Sequence, residues 1–201
     1  MSIFKKKIDL GQFLADLIIY QFDFLEKNSD KLIVLVDEFK VLTEKDKEEF
    51  LQKAHELVIV DIAMSCSQHF YRNLSSDESG EAVSVVYAQY LTEHKKLLRT
   101  EAEKKLEKVM ELFESVCKVE EKVQNRNEYN KEIGHNSPHK IDSDIDKQKF
   151  YLCSGFSDYC VGEDTKSRNW EGKHFAAFKL AKGIVKGNIV ANALKQYAVT
   201  F

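Results

Sequence analysis

The chain has 201 residues, 43% of them hydrophobic and 31% charged, with a formal net charge of -3. That length can bury a core without metal or disulfide support, and that composition excludes a disordered chain. One proline, Pro138, and eight glycines are too few for the turns of an all-β protein, so the expected fold is an all-α bundle of six to seven helices.

The charge is unevenly spread. From Lys166 to Phe201, seven basic residues face a single acid, Glu171, a net +6 that leaves -9 for the remainder. Cys66, Cys117, Cys153 and Cys160 form no CxxC pair. The apolar stretch after Lys5-Lys6-Lys7 is interrupted by Asp9, Asp16 and Asp23. Reduced thiols, no secretory signal, no membrane span and a cytoplasmic location are therefore expected.

In chain order, Phe13, Leu14, Leu17, Ile18, Phe22 and Leu25 recur at three- and four-residue steps, an amphipathic helix over residues 8–26. Asn28-Ser29-Asp30 reads as a break and cap. The next segment, KLIVLVDEF over 31–39, suits either a buried strand or a helix. Its lack of flanking glycines and its helical neighbours favour a helix. Thr43 and Asp46 resemble a capping box opening a helix to about Tyr71, whose second half, LVIVDIAMSC, is apolar nearly all round and should be central. Ser75 to Gly80 reads as a loop, after which Val83, Val86, Tyr87 and Tyr90 resume helical spacing. A polar helix follows from Arg99 to Asn127, with Leu106, Val109, Met110, Phe113, Val116 and Cys117 on its apolar stripe. Its near-heptad spacing lasts about two repeats, short of a coiled coil. Residues 134–147 form the expected long loop, followed by an aromatic element over 150–159 and a final helix from Trp170 to Tyr197. The organisation expected is a main bundle over 1–133, with 134–201 as a loop plus C-terminal helical segment packing on it in one domain.

Few residues carry a chemical signature. His135, His139, Cys153 and Cys160 are the right ligand types for tetrahedral zinc, although C-x6-C lacks the tight knuckle of specific zinc motifs. Glu132-x-x-His135 and Glu171-x-x-His174 match a di-iron pattern formally, but a glycine sits inside each. Cys66 and His69 share a helix face, where the apolar run before the cysteine favours burial over catalysis. Asp142, Asp144 and Asp146 imitate a calcium loop whose sixth position is Lys147 rather than glycine. Dinucleotide, P-loop, hydrolase and zinc-protease motifs are absent.

The C-terminal helix is the most unusual segment. Gly183, Gly187 and Ala191 recur every four residues, a small-residue stripe suited to close helix approach. Lys179, Lys182 and Lys186 cluster on an adjacent face and would meet an acidic surface, in this chain or another. The expectation is a non-enzymatic helical interaction or structural protein without cofactor, acting through a protein partner or self-association. Alternatives are a bundle with an internal ligand or zinc site, and nucleic-acid or anionic-surface binding by the basic tail, which the acidic remainder opposes.

Overall fold

A computed structural model describes residues 5–37, 42–132, 144–162, 170–185 and 189–201. The fold is an all-α bundle with one small sheet. Strand β1 (Lys6–Asp9) leads into α1 (Leu10–Asp37), α2 (Glu44–Phe70) and α3 (Ser76–Gln89). A π-helical turn, Tyr90–His94, joins α3 to α4 (Arg99–Glu132). Then come α5 (Asp144–Val161), α6 (Trp170–Ile184), α7 (Ile189–Ala193) and strand β2 (Tyr197–Thr200). Among the described residues, no helix is long and apolar enough to cross a membrane.

Helix α2 is the axis of the bundle. Its middle, Leu57 to Ile62, is buried on every side, and it packs against α1, α3, α4, α5, α6 and α7. The expected capping box opens it: Thr43 Oγ1 accepts from the Asp46 backbone N–H at 3.1 Å, and the Thr43 N–H donates to the Asp46 carboxylate at 2.8 Å.

Two boundaries differ from the sequence reading, each for a local reason. Asn28-Ser29-Asp30 does not break the first helix. Asn28 Nδ2 donates to the Phe24 carbonyl at 2.8 Å and Ser29 Oγ to the Glu26 carbonyl at 3.2 Å, so their side chains bond backward along a continuous α1. The ambiguous segment 31–39 is thus helical through Asp37, and its last two residues lie outside the described set. The expected loop Ser75–Gly80 is instead the start of α3, with Ser75 as N-cap and Glu78 completing a second capping box. Serines and acids that resemble a loop in composition are also what a helix N-terminus requires.

The chain ends also differ. Ile8 belongs to β1 rather than to the first helix, and the expected 170–197 helix stops at Ile184, resumes for Ile189–Ala193 and ends in β2. The two strands pair in parallel, Lys6 opposite Tyr197 and Asp9 opposite Thr200. Ile8 is buried there while Lys6, Lys7 and Asp9 face outward. The polar helix is also rotated from the expected stripe. Ala102, Val109, Leu112, Val116 and Val119 face the core, whereas Met110, Phe113 and Cys117 are exposed.

Helices α4 and α5 approach closely at Gly155. A Cβ placed there would lie 2.6 Å from Val116 Cα and 2.8 Å from Val116 N, so only glycine fits. Ser115 Oγ spans the same crossing, donating to the Gly155 carbonyl at 2.9 Å.

Candidate interaction site

Helices α5 and α6 form an antiparallel hairpin, held at its closed end by polar contacts. Gly162 takes a left-handed φ of 76° after α5, and its N–H donates to the Asp158 carbonyl at 2.8 Å. Trp170 Nε1 donates to the Gly162 carbonyl at 2.9 Å. His174 Nε2 lies 2.8 Å from Asp158 Oδ1 and stacks on the Trp170 ring at 4.8 Å. Lys53 of α2 approaches the last carbonyls of α5, at 3.5 Å from Tyr159 O and 3.4 Å from Cys160 O, completing the helix end with a cation. The inner face of α6 buries Ala176, Ala177, Leu180, Ala181 and Ile184. Lys173 reaches Asp46 at 2.8 Å, so one charge of the basic tail is matched by an acid of the bundle.

The outer face is different. Phe175 keeps 59% of its surface exposed and Phe150 37%. Phe178 lies between them, 6.5 Å from the Phe175 ring and 6.4 Å from that of Phe150. On α6, Lys179 and Lys182 stand one turn beyond Phe175 and Phe178 respectively, so two rings and two ammonium groups share one helical stripe. An exposed apolar cluster with two lysines one turn along the same helix is the composition of a contact surface rather than of a solvated face.

Of the other sequence candidates, Lys186 and Gly187 lie outside the described residues; Gly183 is half-buried near the end of α6, and Ala191 half-buried in α7. His135 and His139 also fall outside the described residues. Cys153 and Cys160 stand on one face of the same helix but two turns apart, a rise of about 10.5 Å, farther than the roughly 4.6 Å that can separate two thiolates bound to one zinc ion. Among the described residues, no group of three or more His, Cys, Asp or Glu side chains could hold a metal. Burial pushes the thiols of Cys66 and Cys153 up to about 12, and it pushes that of Cys160 higher as well. His69 is turned onto its own helix, its Nδ1 2.9 Å from Ser65 O. Neither buried cysteine is a thiolate nucleophile at neutral pH.

Sequence reading missed a buried polar constellation on α2. Glu56 is 1% exposed; Lys105 of α4 reaches one of its oxygens at 3.6 Å, and the other has no hydrogen-bond partner among the described residues. Burial, and then the Glu56 charge, pushes the hydroxyls of Tyr87 and Tyr159 upward. Such a group raises the stakes of core packing and offers no route for a substrate.

Also missed was the aromatic part of the α6 face. Phe175, Phe178, Lys179 and Lys182 are spaced as one helical stripe, but periodicity does not tell which side is covered. No protein-family model, curated protein or solved structure matches the chain, so its function must be argued from this geometry.

Proposed function

We propose that this protein is a non-enzymatic helical interaction module whose contact face is the outer side of the α5–α6 hairpin, and that its partner is a protein carrying an acidic amphipathic helix. The observation that carries the reading is the exposed cluster of Phe150, Phe175 and Phe178 beside Lys179 and Lys182. Apolar side chains of the partner cover the rings, and carboxylates along its flank meet the ammonium groups. A symmetric dimer through this face is disfavoured, because a two-fold contact sets the same lysines against each other. Nucleic acid is disfavoured by the net negative charge of the whole chain.

Two variants test the reading, Phe175→Ser with Phe178→Ser, and Lys179→Glu with Lys182→Glu. Binding is followed by anisotropy of a labelled amphipathic peptide with leucines on one face and glutamates on its flanks. The unmodified protein binds, each variant weakens binding by roughly tenfold or more, and the lysine variant prefers a lysine-flanked peptide. Equal binding by all three proteins, with unchanged helical content, rejects the face. Light scattering gives a second check: a dimer abolished by these substitutions would replace the heterologous partner with a second copy.

A further inference from the structure

Helix α1 forms one wall of an open groove, and α7 with the turn into β2 forms the other. Its volume is about 620 Å³, within the range of about 300–1,000 Å³ usual for small-ligand sites. The groove is lined by the rings of Phe13, Tyr20 and Tyr197 and by the carboxylates of Asp16 and Asp23. Gln21 lines it too, and this residue is the odd one. It is only 6% exposed and yet lines the groove, where its amide can meet a polar group brought by a ligand.

Asp16, Tyr20 and Asp23 follow one another at four- and three-residue steps along one edge of α1. The carboxylates are therefore about 10.5 Å apart along the axis, with a tyrosine ring between them. Aromatic walls with carboxylates at both ends suit a long, flexible organic cation, whose methylenes lie on the rings while its ammonium groups meet the acids. Present contacts of these acids are weak competitors. Asp16 accepts from the neutral Gln12 amide at 2.7 Å, and Asp23 meets Lys27 at 3.3 Å in a largely exposed pair. On the far wall, Lys195 Nζ is held by Asn192 Oδ1 at 2.8 Å, so one cation already sits at that rim.

We infer that this groove binds a linear aliphatic polyamine, with Asp16 and Asp23 taking its terminal ammonium groups, Tyr20 and Tyr197 its chain, and Gln21 an inner nitrogen. The site is independent of the α5–α6 face.

Calorimetry of the full chain with spermidine, 1,8-diaminooctane and putrescine tests it. Spermidine and the eight-carbon diamine, which span both carboxylates, bind; putrescine, which reaches only one, is weaker by roughly tenfold. Asp16→Asn with Asp23→Asn reduces spermidine binding by about tenfold or more, and Gln21→Leu weakens spermidine while sparing 1,8-diaminooctane, which has no inner nitrogen. Lys195→Ala strengthens binding or leaves it unchanged. Three results would overturn the assignment: no heat with spermidine, equal affinity for the three amines, or affinity unaffected by loss of both carboxylates in a protein whose circular dichroism is intact. The last would mean diffuse attraction to an acidic surface.

Discussion

Replacing Gly155 with alanine isolates what the α4–α5 crossing demands. In an exposed helix interior the change favours folding by about 1 kcal/mol, because alanine loses less backbone freedom. At Gly155 the added methyl carbon would sit 2.6 Å from both Cα and Cγ2 of Val116, and one of those atoms is main chain. The helices must move apart, and overpacking of this kind costs about 1–3 kcal/mol. Separation also stretches the 2.9 Å bond from Ser115 Oγ to the Gly155 carbonyl, a contact worth about 1 kcal/mol. The net expectation is destabilisation by about 1–3 kcal/mol. Gly80 in α3 is the matched control, since a Cβ there meets nothing within 4 Å, and Gly80→Ala should stabilise by about 0.5–1 kcal/mol. Urea titrations followed by circular dichroism measure both, with the denaturant slope checked for constancy. Opposite signs support the crossing as described; if Gly155→Ala stabilises the protein as Gly80→Ala does, the helices do not meet at Val116. Adding Ser115→Ala to each background separates strain from the lost hydrogen bond.

Two further perturbations address the polar core of α2. Lys105→Met leaves the Glu56 carboxylate buried without its cation and should cost about 1–3 kcal/mol, below the roughly 3–5 kcal/mol of a fully buried broken pair because Lys105 is itself 38% exposed. Adding Glu56→Gln should recover much of that loss in urea titration, and a double variant no better than Lys105→Met alone would refute the pairing. His55 packs edge-on to Phe22 at 4.8 Å, and its pKa lies below the usual 6.5, chiefly because burial disfavours the imidazolium. The unfolded chain then binds the proton first as pH falls. This contribution to stability is present above about pH 6.5 and is lost as pH drops from there toward the folded value. The urea midpoint should fall between pH 7.5 and 5.5, and His55→Gln should flatten that dependence. An unchanged slope in the variant would show that His55 is not the group responsible.

Much of the fold was legible because strong, local signals agreed. Thr43 and Asp46 marked the start of α2, and the apolar run from Leu57 to Ile62, interrupted only by Asp61, marked it as central, as its contacts confirm. Boundaries failed where one residue type serves two roles. Asn28 and Ser29 stop a helix when their side chains cap the next one, and continue it when they bond back to Phe24 and Glu26. Which occurs depends on whether α1 gains by covering Leu32, a tertiary matter. The terminal strands carried no local signal at all: four residues at each end pair across nearly the whole chain.

The candidate sites show the same division. Lys179 and Lys182 stood out by their charge, but Phe175 and Phe178 did not, because apolar spacing does not say which side of α6 the bundle covers. Of the expected α4 stripe, Val109 and Val116 are buried and Leu106 packs on the core, while Met110, Phe113 and Cys117 are exposed because Leu112 and Val119 offered a neighbouring apolar line that α4 turned inward. The tight helix crossing among the described residues rests on one isolated glycine, Gly155, against one valine. A repeat is visible to a reader of sequence, whereas steric necessity at a single point is created by the partner helix. A lone glycine in a helix rich in aromatic residues therefore points to close packing, because its helical cost has no other compensation in view.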